Sequence, residues 1–194
     1  MIPYISAWIV KWLLQSGVIS ENDVELYEYA VYSFLFGLMP VCLAIIIGAI
    51  FGHVVDSVLM IIPFMLIRKF SGGFHLKSAS ICFVSSTLLI SIFLFVIQVV
   101  NTKIEIIAFN LAVITSTVQI FICSPINNDA RTLTEKEYVV FKKTARIMAI
   151  VFLMLYAMLL ILGQNAFSTP IGAGIILTAL LQVPCLVTAK NESC

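Results

Sequence analysis

The chain has 194 residues, 61% of them apolar and 11% charged, with a formal net charge of +1. A soluble domain carries about 25% charged residues, so there are too few charges here to cover a water-facing surface. The near-neutral balance, without a basic stripe, also excludes nucleic acid as a partner.

Apolar runs of about 20 residues, long enough to cross the hydrocarbon core of a bilayer, recur along the chain. The expected fold is all-α: a polytopic membrane helical bundle of about six segments, forming one membrane domain over residues 1–194. The cysteines, at positions 42, 82, 123, 185 and 194, show neither a CxxC nor regular spacing. That speaks against a disulfide framework or a zinc knuckle, and no metal or cofactor is expected.

Residues 3–17 open the chain. Ile5, Trp8, Ile9, Trp12 and Leu13 fall on one helical stripe, with Ser6, Lys11 and Gln15 away from it. This predicts an amphipathic helix in the membrane interface, its tryptophans at headgroup level. Gly17 ends it. Ser20 and Asp23 offer a capping box for the next helix, whose acidic first turns are a solvated extension. The first span runs from Val31 to Gly52, with Pro40 as a kink.

His53 and Asp56 interrupt the apolar sequence. Val54 to Ile67 is short for an upright span and contains Pro63, which predicts a short or broken helix shielded by protein. A polar island follows, and then the spans Ile81–Val100 and Ile106–Cys123. Ser124 to Arg146 is the longest polar segment, opening on Ser-Pro-Ile-Asn-Asn-Asp. Within it Thr134 and Glu137 form a second capping box, for a surface helix. Spans at Ile147–Leu162 and from Pro170 to about Ala189 complete the chain.

Arg68, Lys69 and Lys77 lie in one connection, and Arg131, Lys136, Lys142, Lys143 and Arg146 in another. The positive-inside rule puts both on the cytoplasmic side, as loops 68–80 and 124–146. A six-crossing path then places both termini there too. His53 falls at the outer face and His75 at the inner one.

The island 68–82, Arg-Lys-Phe-Ser-Gly-Gly-Phe-His-Leu-Lys-Ser-Ala-Ser-Ile-Cys, carries the chemistry that the spans lack. A cysteine nucleophile needs a base that takes its proton. On one continuous helix His75 and Cys82 would start about 10.5 Å apart in rise. A working pair therefore needs His75 on a loop folded back toward a helix beginning near Ser78 or Ser80. Gly72 and Gly73 supply the backbone freedom for that fold. On the residues alone, an interfacial histidine and a packed thiol are the simpler account. Arg68 and Lys69 read first as inner-face anchors, and functionally as a means of capturing an acidic peptide or its carboxylate. A transporter or peptide-export subunit is the alternative class, suggested by the short second segment and the in-helix prolines. The near-absence of ionisable residues in the spans speaks against it.

The run Arg68…Gly73-Phe74-His75…Cys82, flanked by spans, resembles the AgrB family, membrane cysteine endopeptidases of Gram-positive quorum-sensing systems. The amphipathic start, the Ser124-Pro125-Ile126-Asn127 turn and the final pair of spans extend the resemblance over nearly the whole chain. It implies a His75/Cys82 dyad, with Arg68 and Gly73 at further motif positions as supporting residues; Lys69, Gly72 and Lys77 join them as supporting or substrate-binding residues of the same island. The implied substrate is an AgrD-like propeptide, cut before its tail through a Cys82 thioester and cyclised to a thiolactone or lactone. The implied location is the cell membrane, with the active site and both termini cytoplasmic. A homodimer is left open.

Overall fold

The structure, a computed structural model, describes residues 2–72, 79–100, 103–126 and 134–191. All regular structure among these residues is helical: α1 (Ile2–Gln15), α2 (Val24–Phe51), α3 (Val54–Ser71), α4 (Ala79–Val99), α5 (Lys103–Cys123), α6 (Glu135–Ile161), α7 (Asn165–Leu180) and α8 (Val183–Asn191). The chain divides into two compact units, Met1–Leu43 and Ala44–Cys194.

In the first unit, α1 stops where expected. Gly17 adopts φ 69°, its N–H bonds to Leu14 O, and the Val18 N–H reaches back to Leu13 O. A left-handed residue just past a helix lets the last carbonyls find partners, and glycine takes that conformation most cheaply. Tyr4, Ile5, Trp8 and Trp12 are exposed, whereas Ser6 and Val10 are buried. The Ser20/Asp23 pair departs from expectation. Ser20 Oγ donates to the Asp23 carboxylate at 2.6 Å instead of capping the backbone, and a 3-10 turn, Glu21–Asp23, precedes α2.

The second unit is built around α7, which packs against α3, α5, α6 and α4. About 56% of the apolar window Asn165–Val187 is buried, against 22% for those of α5 and α6. Small residues allow this. A Cβ on Gly174 would lie 2.3 Å from the Met60 carbonyl oxygen and 2.7 Å from Pro63 Cγ, so α3 and α7 meet almost backbone to backbone. Without a hydrophobic driving force between helices in lipid, such close approach supplies the packing energy. Buried hydroxyls are satisfied within their own helices: Ser57 donates to Val54 O, Thr117 to Val113 O and Thr178 to Gly174 O.

The outward faces are apolar. On α4 the exposed residues Ile81, Val84, Leu88, Ile92, Phe95 and Val99 form one continuous stripe at helical spacing. On α5 the stripe is Ile104, Ile107, Leu111, Ile114 and Val118. A water-facing helix shows the reverse pattern, so this is a membrane protein. By length and composition, four helical segments among the described residues suffice to cross a bilayer: Glu21–Phe51, Ile104–Cys123, Glu135–Ile161 and Asn165–Val187. The other two of the six expected crossings are not among these four. The second segment, α3, has 18 residues and runs unbroken through Pro63, and the apolar helix described within α4 is Val84–Val99.

Two further differences follow from capping and breaking chemistry. The Thr134–Glu137 capping box forms in full, with Thr134 Oγ1 accepting from the Glu137 N–H and the Glu137 carboxylate from the Thr134 N–H. The helix it starts does not stop at the surface but continues as α6 to Ile161. The last apolar segment is interrupted at Leu181–Gln182, which separates α7 from α8.

Candidate active site

His53 and the end of α4 establish which helix termini share a side of the bundle. The His53 ring Nδ1 lies 3.0 Å from Asp56 Oδ2 and 3.0 Å from Gln98 Nε2. Gln98 also donates to the Asp56 carboxylate at 3.2 Å. With Nδ1 protonated, His53 donates to Asp56; in the other tautomer it accepts from Gln98. The start of α3 is thus tied to the end of α4, and the two helices pack together. The end of α3, which carries Arg68 and Lys69, and the first turns of α4, which include Cys82, therefore share the opposite side. At 1.5 Å per residue, about 24 Å of helix separates the Cys82 position from Gln98 and its partner His53. His53 is out of reach of that thiol.

The α3 end is held by backbone chemistry. Gly72, with φ 72°, closes the helix as its N–H bonds to Arg68 O at 3.1 Å. The neighbouring Ser71 carbonyl accepts the Ile126 N–H at 3.0 Å. A Cβ on Gly72 would stand 2.5 Å from the Ile126 carbonyl oxygen. Glycine is therefore required twice over, by its positive φ and by the contact. The sequence reading gave Gly72 a role through flexibility; the structure gives it one through fit. The same contact brings the chain leaving α3 beside the Ser124-Pro125-Ile126 turn, so the two basic connections start next to each other.

That turn is anchored from below. Ser124 is buried, and its Oγ accepts from Gln182 Nε2 at 3.0 Å. Gln182 is fully buried at the α7–α8 break. One turn earlier on α5, Gln119 Nε2 donates to Ala179 O at 2.9 Å, a carbonyl at the end of α7 that also accepts the Gln182 N–H.

Cations and aromatics ring this end. The Arg68 guanidinium lies 5.5 Å from the Phe64 ring centroid and within electrostatic reach of Cys185. Arg146 donates from Nε to Phe121 O at 3.0 Å and sits 4.6 Å above the Phe121 ring. Phe70 meets Phe141 edge-on at 5.5 Å.

Of the residues singled out from the sequence, Arg68, Lys69 and Gly72 are gathered at this end, and Cys82 falls in the first turns of α4, with its side chain not described. Gly73, His75 and Lys77 lie outside the described residues, as do Asn127 and Arg131. Among the other thiols, Cys42 is exposed in α2, Cys123 half-buried at the end of α5 and Cys185 buried in α8. Gln182 and its pairing with Ser124 escaped the sequence reading. The available signal was an uncharged amide two residues before Pro184, within a run otherwise read as a plain span.

Comparison with known proteins places the chain in a family. The chain is 24% identical over 82 residues to an AgrB-like protein of Clostridium perfringens (strain 13 / Type A), a match covering 42% of this chain and 38% of that one. It thus spans well under half of that relative's length. No solved structure matches the chain. The profile of accessory gene regulator B matches residues 4–186, from the first helix through the α7–α8 break, and the chain therefore belongs to the AgrB family.

Proposed function

We propose that this protein is a membrane cysteine endopeptidase that removes the tail of an AgrD-like propeptide and promotes cyclisation of the signal segment, with His75 and Cys82 as the reacting pair. Membership of the AgrB family points to autoinducer-peptide processing in quorum sensing. The observation that carries the dyad is one of elimination. The chain has two histidines, and the α3–α4 pairing puts His53 at the far end of the bundle from the Cys82 turn. His75, on the short connection between the end of α3 and the start of α4, is the imidazole left to serve that thiol.

In this reading His75 takes the Cys82 proton, and the thiolate attacks the peptide carbonyl preceding the tail. The tetrahedral oxyanion collapses, and the protonated imidazole gives its proton to the departing amine of the tail. The signal segment stays on Cys82 as a thioester. An internal cysteine or serine of the propeptide then attacks that thioester and closes the ring, regenerating the thiol. Thioester exchange is close to neutral in free energy, whereas making the thioester from an amide is uphill. Loss of the tail must therefore draw the first step forward. Water competes for the acyl-enzyme, and a membrane-embedded, partly dry site favours ring closure by excluding it. Arg68 and Lys69, with Lys77 in the same connection, serve as cationic contacts for an acidic tail. The basic connections lie on the cytoplasmic side, and α1 acts as the interfacial helix of the cell membrane, its exposed tryptophans at headgroup level.

Co-expression with a candidate propeptide tests this reading. Wild type should release the tail and accumulate a thioester-linked adduct, and His75→Ala and Cys82→Ala should each abolish both products while expressing normally. Cys123→Ala and His53→Ala should cleave like wild type. Cleavage that survives Cys82→Ala would remove the enzyme reading, and its loss in His53→Ala would remove the topology behind it.

A further inference from the structure

Gln182 is an unusual residue for its place. It lies fully buried between two apolar helices, and its Oε1 accepts no hydrogen bond among the described residues. Burying an amide with one half unpaired is costly, so packing alone does not account for it. What the amide does is donate: Nε2 reaches Ser124 Oγ at 3.0 Å, across 58 residues of chain. Ser124 is itself buried and immediately follows α5, whose register against α7 is already set by Gln119 and Ala179. Two residues on, the Ile126 N–H bonds to Ser71 O, and the Ile126 carbonyl abuts Gly72. A continuous path of described contacts thus runs from Gln182 through Ser124 and Ile126 to the residue where the chain leaves α3.

We infer that Gln182 is a positioning residue for the chemistry of the 68–82 segment, acting through Ser124 and Ile126 on the direction in which the chain departs from Gly72. This inference rests on the proposed His75/Cys82 reading and adds to it the element that fixes where the chain leaves α3. The physical logic is one of leverage. Gly72 has a backbone geometry open to glycine alone, and a small rotation there is amplified over the residues that follow. An amide–hydroxyl bond in a dry interior is a stiff restraint, because no water stands ready to replace it. The donor is a fully buried residue at the end of α7, the most buried helix of the bundle, so the restraint is referenced to the core rather than to a surface loop.

The test uses the full-length protein in detergent or proteoliposomes with a synthetic propeptide. Gln182→Leu and Ser124→Ala each remove the restraint at one end. Each should lower kcat for tail cleavage about 10- to 100-fold, the scale of a misplacement of roughly 1 Å, with KM for the propeptide little changed. The double variant should be no worse than the more affected single one, because both break the same bond. Site-specific alkylation of Cys82 by iodoacetamide reports the thiolate directly. In both variants its rate at neutral pH should fall several-fold and its pH profile should move toward that of an unassisted thiol, a change that loss of folded protein alone would not produce. If Gln182→Leu does not accumulate, Ser124→Ala, a single-atom deletion, carries the same measurements. Wild-type kcat with an unchanged alkylation profile in a folded variant would overturn the inference, provided His75→Ala and Cys82→Ala are inactive. If those two cleave like wild type, it is the underlying dyad reading that has failed, and the positioning role falls with it.

Discussion

A single backbone position shows how narrowly the candidate active-site end is specified. Gly72 combines φ 72° with an Ile126 carbonyl oxygen that would stand 2.5 Å from any added Cβ. Gly72→Ala should therefore cost about 1–3 kcal/mol, the usual range for a residue held in a disfavoured backbone region. It should also reduce propeptide cleavage by more than the lost stability explains. Thermal unfolding in detergent, read beside cleavage per folded molecule, checks both. Equal stability and activity in the variant would mean that Gly72 is replaceable and that the Ser71–Ile126 contact does not matter. At this scale much was legible. The Thr134–Glu137 box involves neighbours three residues apart and forms as the sequence implies. Ser20–Asp23 has similar spacing but fails as a box, because the hydroxyl takes the carboxylate instead of the backbone. The partner of Gln182 lies 58 residues away, and no local pattern announces it.

Among the elements, α3 and α7 are the tightest pair. Gly174→Val should force them apart against the Met60 backbone and Pro63, lowering stability by about 1–3 kcal/mol, as overpacking typically does. A melting temperature within error of wild type would show that the interface is looser than described. At the far end of α3, Gln98→Leu removes donors to His53 and Asp56, and should cost about 0.5–1.5 kcal/mol for the lost hydrogen bonding. Cleavage per folded molecule should stay unchanged, since this cluster is distant from the Cys82 turn. Lost cleavage in this variant would tie the two ends together functionally. The helices themselves were readable from apolar runs and their breaks. Their joints were less so: α6 fuses a surface helix with a span, and the final segment splits at Leu181–Gln182. A polar stretch of good helix formers reads as a separate surface element, yet nothing in it stops a helix already under way.

For the whole molecule, the decisive property is sidedness. The two ends of α3 should be reachable from opposite faces of the membrane, Val54 from outside and Lys69 from inside, because about 22.5 Å of helix separates these two positions. Single cysteines at these positions, in a background lacking other reactive thiols, should be labelled by an impermeant maleimide in intact cells at position 54 and only after lysis at position 69. Labelling of position 69 but not of position 54 in intact cells would reverse the topology, and labelling of both would mean that α3 does not cross.

Composition and apolar run length alone determined that this chain is a helical membrane protein, because a bilayer accepts only segments that satisfy their own backbone and present apolar side chains. The short motif around His75 and Cys82 pointed to the family by the same local means. The tertiary structure decided which helix ends meet, that α7 is the hub, and that a buried glutamine reaches the turn beside Gly72. These depend on contacts between residues far apart in the chain, formed where small side chains let two backbones approach, and periodicity along one segment carries no information about its partner.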